Sequence, residues 1–232
     1  MARSCLKDSD LLILASTSAS RRAMLRQAGL VFETIAPEVD EAAVKRSYRE
    51  REQSAEAAAA ALARAKALDV ALRYPDATVV GADQVLECDG VWLDKPSSLA
   101  EAAAHIRFLR GRAHLLPTAV CCARGDKILW NCVEVPQLVM RDLSDAFIDD
   151  YVAAEGTALL ASVGAYRLES RAGNPFKHVN GDFFTILGLP LLPLIDFLKD
   201  FVDGPLWFDR DQSTDYRDVM AKLAIVNGHG MN

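Results

Sequence analysis

The sequence predicts a sheet protein of the α/β or α+β class, and three observations carry that reading. Short apolar runs suited to buried strands alternate with segments of helical spacing. Asp89-Gly90 and Gly125-Asp126 mark tight turns between strand-like runs. No break in composition suggests a linker before residue 200. Residues 1–200 are therefore expected to form one domain, and residues 201–232 a C-terminal extension that is packed or partly disordered.

Taken in order, residues 11–15 form a buried strand, and residues 21–28 form a helix closed by Gly29. Residues 30–36 make a second strand ended by Pro37, and the acidic "PEVDE" starts as a loop. The alanine-rich stretch 54–73 reads as one long helix capped by Ser54, with Leu62, Leu68 and Leu72 on its packed side. "ATVVGADQVLECDGVWLDKP" gives strand, turn and strand, and residues 99–109 a helix capped near Ser98 and stopped at Gly111. A long hairpin turns at Gly125-Asp126, and Ser144 caps a helix that ends at Gly156. Short strands follow, then a last helix from about residue 191.

Bulk properties narrow the function. Of the 232 residues, 51% are hydrophobic and 25% charged, the profile of a soluble globular protein. No apolar run reaches the roughly 18 residues of a membrane span, and "MARSCLKDSD" lacks a secretory hydrophobic segment. A cytoplasmic protein without membrane attachment is expected. The net charge of −6 argues against a nucleic-acid partner, whose binding needs a basic surface. The five cysteines have no zinc-ligand spacing and read as reduced thiols.

Chemistry concentrates in a few places. "STSASRR", residues 16–22, puts hydroxyls and two guanidinium groups where a strand hands over to a helix. Unpaired N–H groups of a helix start, hydroxyl donors and arginine forks together suit phosphate. The plainer alternative is that Ser20 caps the helix and the arginines are solvated. Asp83 ends an apolar strand in "VVGADQV", a place where a carboxylate can hold Mg²⁺ or orient water, or simply begin a turn. Lys66, Lys95 and the acidic Glu38, Asp40 and Glu41 are further candidates, each of which could equally be solvated surface. Neither GxGxxG nor GxxxxGK[ST] occurs, which counts against dinucleotide oxidoreductases and Walker-type ATPases.

In combination these segments strongly resemble the Maf family of nucleoside triphosphate pyrophosphatases. "LILASTSASRRAMLRQAGLVFE", "APEVDE", "LARAKA", "VVGADQVLECDG", "LDKP", "LRGRAH", "VGAY" and "GDFFTILGLPLLPLIDFL" stand in the family's order over about residues 11–199. The resemblance implies an elongated, mixed and twisted α/β sheet with flanking helices, of the Maf/inosine-triphosphatase-like kind. It also implies two lobes around a central cleft, and a homodimer. It implies hydrolysis of a nucleoside triphosphate to the monophosphate and pyrophosphate, with Mg²⁺ or another divalent cation such as Mn²⁺. By position, Asp83 matches the catalytic carboxylate, and Ser16, Ser18, Arg21 and Arg22 the phosphate loop. Lys66 and Lys95 match the lysines facing the triphosphate, and Glu38 and Glu41, with Asp83, the metal neighbourhood.

The length of "STSASRR", "APEVDE", "ADQV" and Glu169 in "YRLES" resemble the branch acting on 7-methyl-GTP, where a carboxylate could accept hydrogen bonds from a guanine edge. "VGAY" resembles the dTTP/UTP branch, and residues 170–179 depart from the usual family strand. A modified purine nucleotide is the preferred substrate, with dTTP or UTP as the alternative. A non-catalytic nucleotide-binding regulator of cell division is the rival from another class.

Overall fold

A computed structural model describes residues 11–169 and 175–199. The expected extension with Trp207 and Phe208, and residues 170–174 of the divergent segment, lie outside the described residues.

The strands are β1 (Leu12–Ala15), β2 (Glu33–Ile35), β3 (Thr78–Gln84), β4 (Leu86–Cys88), β5 (Val91–Leu93), β6 (Ala113–Leu115), β7 (Thr118–Arg124), β8 (Lys127–Glu134), β9 (Gln137–Met140) and β10 (Phe176–Asn180). The helices are α1 (Ala19–Gln27), α2 (Glu41–Glu50), α3 (Ala55–Arg73), α4 (Leu99–Leu109), α5 (Asp145–Glu155), α6 (Phe183–Ile186) and α7 (Leu191–Leu198). Among the described residues they build two five-stranded sheets, ordered β2-β1-β3-β7-β8 and β10-β9-β6-β4-β5. The first is mixed, with β1 parallel to both β2 and β3, and β3 and β8 antiparallel to β7. All pairings in the second are antiparallel. The α/β class with flanking helices expected from the sequence is present, and the strands divide into two sheets.

Three strand pairs pass from one sheet to the other through one or two residues: β3 to β4 through Val85, β6 to β7 through Leu116-Pro117, and β8 to β9 through Val135-Pro136. Prolines suit this crossing because they cannot continue a ladder. The Val85 N–H and Leu116 N–H are still satisfied there, by the carbonyls of Pro117 and Pro136. The hairpin at Gly125-Asp126 therefore forms only its upper part in the first sheet, with its lower strands in the second.

Alternation along β3 sends Val80 and Ala82 to one face, with Leu12, Leu14, Leu25 and α7, and Val79 to the other, against α3. The packed side of α3 consists of Ala59, Ala63, Ala67 and Val70, whereas Leu72, expected inside, is 63% exposed. Small side chains let the helix lie close to the sheet. At Gly81 a Cβ would stand 2.4 Å from the Ala63 carbonyl oxygen and 2.5 Å from the Ala67 nitrogen. The second sheet packs Leu86, Leu116, Leu138 and Phe176 with Ile106 and Leu109 of α4 and Ile148 of α5.

Several boundaries differ from the sequence reading. Helix α1 starts at Ala19 with Ser18, not Ser20, as its cap. The segment after the acidic loop is a helix, α2, capped by Asp40 and without a buried residue. Strand β2 is only three residues long, Glu33–Ile35. The caps at Ser54, Ser98 and Ser144 and the left-handed Asp89-Gly90 turn stand as expected.

Gly81→Ala should destabilise the fold by about 1–3 kcal/mol, because backbone atoms rather than a flexible side chain meet the new methyl. Urea unfolding measures this; a midpoint equal to the parent's would contradict the close approach of α3 to β3.

Candidate active site

Between the two sheets lies a cleft of about 1090 Å³. The first lobe lines it with the β1–α1 turn, α2, Lys66, the end of β3 and the α6–α7 turn. The second lobe contributes the segment after β5 and the helical turns Gly156–Ala161 and Val163–Ala165 with Tyr166 to Glu169.

The β1–α1 turn presents hydroxyls and helix-start amides together. Ser16 is buried and its Oγ accepts from the Ser18 N–H at 3.1 Å. Ser18 Oγ accepts from the Arg21 N–H at 3.4 Å and shares a 2.9 Å hydrogen bond with Ser20 Oγ. Arg21 turns inward to the end of β3. Its Nε donates to the Gly188 carbonyl at 2.7 Å and its Nη1 to the Ala82 carbonyl at 2.8 Å. Burial lowers the Arg21 pKa, while Asp83 and Glu41 act to raise it. Carbonyl partners hold the guanidinium in place without cancelling its charge.

Asp83 leaves β3 on the same face as Gly81, so the close helix packing brings Lys66 to it. Lys66 Nζ donates to Asp83 Oδ1 at 2.6 Å and contacts Glu41 Oε1 at 2.7 Å. Lys66 and Asp83 are each 5% exposed. The second carboxylate oxygen, Asp83 Oδ2, is buried and has no hydrogen-bond partner. Such a group carries a desolvation cost unless something in the cleft pairs with it. Burial acts to raise the Glu41 pKa, but Lys66, Lys45 and Lys95 outweigh it and hold the carboxyl below its usual range. Lys95 is lowered by burial and by neighbouring Arg21.

Eight of the residues singled out in the sequence therefore line one cleft: Ser16, Ser18, Arg21, Glu41, Lys66, Asp83, Lys95 and Glu169. Arg22 and Glu38 are not part of that lining. Arg22 follows Arg21 on α1, about 100° around the helix axis. Glu38 is held outward: its N–H donates to Asp69 Oδ2 at 2.9 Å and its 82%-exposed carboxylate lies 3.6 Å from Arg73. Among the described residues no cluster of three acidic, histidine or cysteine side chains could hold a metal. Asp83 and Glu41 remain as a pair, with oxygens within two hydrogen-bond lengths of each other across Lys66.

The structure adds residues that the sequence reading missed. Gln84 lines the cleft, and its Nε2 donates to Thr118 Oγ1 at 2.8 Å and to the carbonyls of Thr185 and Ile186, fixing the α6 turn that carries Gly188. Lys45, Arg46 and Arg49 of α2 also line the cleft. Their i, i+1, i+4 spacing was a visible signal, lost because helix α2 was not anticipated. Glu169 is joined to Arg167, whose Nε lies 3.1 Å from Glu169 Oε1 and whose Nη1 lies 3.2 Å from Glu155.

This fold and site define a class: an α/β protein with an interlobe cleft built for a small polyanion beside a buried carboxylate. The comparisons with known proteins place it more closely. The family model described as Maf-like protein matches residues 11–201, and the chain belongs to that family. It is 51% identical over 188 residues to a protein of Granulibacter bethesdensis named nucleoside triphosphate pyrophosphatase, covering 81% of this chain and 95% of the relative. It is 45% identical to a protein of the same name from Rhodospirillum rubrum, over 81% of this chain and 93% of that relative. A Rhizobium meliloti protein named 7-methyl-GTP pyrophosphatase is also 45% identical, over 82% of this chain and 96% of the relative.

One wall of the cleft depends on a buried neutral pair. Tyr166 packs edge-on against Phe176 at 4.8 Å, and its hydroxyl lies 2.9 Å from His114 Nε2. Burial pushes His114 down from 6.5 to about 4 and Tyr166 well above its ordinary value. Folding thus lowers the His114 pKa, and the unfolded chain binds that proton more tightly. This effect is absent well above pH 6.5 and costs stability as pH falls toward 4, by up to about 3 kcal/mol. In His114→Gln this part of the acid slope should vanish in urea melts between pH 7 and pH 4; identical slopes in both proteins would contradict it.

Proposed function

We propose that this chain hydrolyses a nucleoside triphosphate between the α- and β-phosphates, releasing the monophosphate and pyrophosphate. The observation that carries this reading is the unpartnered, buried Asp83 Oδ2 at the floor of a cleft lined by Arg21, Lys66 and Lys95. Relatives bearing the names nucleoside triphosphate pyrophosphatase and 7-methyl-GTP pyrophosphatase support it.

The chemistry follows from the charges. A triphosphate carries about four negative charges, and attack by water requires them to be neutralised where they stand. The helix-start amides and hydroxyls of residues 16–20 and the guanidinium of Arg21 supply fixed positive ends of dipoles and one full charge. Lys66 holds Asp83 Oδ1, leaving Oδ2 to orient a water toward the α-phosphorus and accept its proton. The oxygen of that water bonds to the α-phosphorus, the bond to the bridging oxygen breaks, and pyrophosphate leaves with the electron pair. No nucleophilic side chain is needed.

A divalent cation, Mg²⁺ or Mn²⁺, belongs to the same proposal. Two carboxylates, Asp83 and Glu41, with oxygens of the substrate suit a hard cation that keeps several non-protein ligands. Such an ion supplies further charge neutralisation at the phosphates. Glu38 faces away from the cleft and is left out of this ligand set.

The preferred substrate is a modified purine nucleotide such as 7-methyl-GTP. Glu169 lines the cleft from the second lobe, where its carboxylate could accept hydrogen bonds from a guanine edge. Work in the cytoplasm, as a homodimer, completes the reading.

Purified protein with Mg²⁺ should convert 7-methyl-GTP to monophosphate and pyrophosphate, and chelation should abolish turnover. Asp83→Asn should lower kcat by at least about a thousandfold while leaving the circular dichroism spectrum and the cooperativity of unfolding unchanged. Release of single orthophosphates, or full activity in Asp83→Asn, would overturn the assignment. In a panel with GTP, dTTP, UTP and 5-methyl-UTP, a higher kcat/KM for dTTP or UTP would move the chain to the pyrimidine branch.

A further inference from the structure

Helix α2 is attached in an unusual way. It has no buried residue, yet it spans the cleft from the first lobe to the second. At its start Glu41 contacts Lys66 beside Asp83. One turn later Lys45 Nζ reaches Asp94 at 2.5 Å, in the segment after β5. Another turn on, Arg49 lies over the Trp92 ring at 5.1 Å, donates to the Trp92 carbonyl at 3.3 Å and stands 3.7 Å from Asp94. Charge contacts at both ends thus fix the helix across the opening.

Between those fastened residues is Arg46. It is exposed, it lines the cleft, and among the described residues it has neither an ion pair nor a hydrogen bond. Its situation differs from that of Lys66, Lys45 and Arg49, and is shared by Lys95 on the segment after β5. Lys66 already faces two carboxylates, and Lys45 and Arg49 share Asp94. Arg46 stands five residues past Glu41, about 7.5 Å further along the helix axis from the Asp83–Lys66 centre. An unpaired guanidinium on a helix pinned on both sides keeps its full charge and all its donors free for an anion in the cleft.

We propose that Arg46 is a substrate-binding residue for the β- and γ-phosphates, the part of the triphosphate that departs as pyrophosphate. This rests on the triphosphate reading of the cleft given above. Water attack at the α-phosphorus puts added negative charge on the departing pyrophosphate, and a planar guanidinium can grip two of its oxygens. Arg46 thereby completes, from the α2 side, the cradle that the β1–α1 turn begins.

The test compares the parent protein with Arg46→Ala and Arg46→Lys in steady-state hydrolysis, with inorganic pyrophosphate and the nucleoside monophosphate as separate inhibitors. Arg46→Ala should lose about tenfold or more in kcat/KM and weaken pyrophosphate inhibition to a similar degree. Inhibition by the monophosphate should stay within twofold, and the unfolding midpoint should not move, since Arg46 has no ion pair or side-chain hydrogen bond among the described residues to lose. Arg46→Lys should recover part of the pyrophosphate affinity but not all of it, because an ammonium cannot form the paired contact. An active parent whose pyrophosphate inhibition is unchanged in Arg46→Ala overturns this assignment alone. Equal loss for monophosphate and pyrophosphate also overturns it. A parent that neither hydrolyses a triphosphate nor binds pyrophosphate would instead overturn the reading on which it rests.

Discussion

The contact of one ammonium with two carboxylates, Lys66 with Asp83 and Glu41, is the interaction on which the site depends. Two nearly buried charges cannot be placed together cheaply, and their pairing is tolerated only with close geometry and further partners. The backbone supplies the geometry. Alanines on α3 and the missing side chain at Gly81 let the helix approach β3 until Lys66 reaches the strand end. The further partners are divided. Oδ1 of Asp83 and Oε1 of Glu41 are satisfied by Lys66, while Oδ2 of Asp83 is left with none. The proposed reaction gives this unpaired oxygen its partner, a water held beside the substrate.

The rest of the architecture serves to bring charge to that point from independent directions. Arg21 arrives from α1, on the opposite face of the sheet from α3, and is locked by carbonyls at Ala82 and Gly188. Gln84, the next residue after Asp83, fastens the α6 turn and so keeps Gly188 where Arg21 needs it. Gly188 adopts φ +106, a backbone shape that side-chain-bearing residues rarely take. The crossing of strands between the sheets places Asp83 and Gln84 at the junction of the lobes, so groups from the second sheet can face them. Electrostatic preorganisation of this kind lets a hydrolase act on a polyanion without a covalent intermediate.

Much of this was legible in the sequence, and the legible part has a common physical cause. Caps at Ser54, Ser98 and Ser144 and the Asp89-Gly90 turn are local signals, and local hydrogen bonding decides them. The pairing of hydroxyls with Arg21 at a strand–helix junction was legible for the same reason. What sequence patterns did not reveal depends on distant contacts. Leu72 looks like a core residue, but the close seat of α3 buries alanines instead. Helix α2 has no fully buried residue to mark its packed face, and ion pairs to Lys66 and Asp94 help to hold it. Arg22 and Glu38 have the right chemistry at the right places in the chain, yet neither is among the residues that line the cleft, which depends on the course of α1 and of the segment beside Asp69.

The account is tested most directly by a crystal structure with an α,β-methylene nucleoside triphosphate and Mg²⁺. It predicts the α-phosphorus facing Asp83 Oδ2, with the phosphates between the β1–α1 turn and the Lys66 and Lys95 side chains. A triphosphate bound with its phosphates outside this cleft, or Asp83 turned away from the α-phosphorus with Lys66 detached, would contradict it.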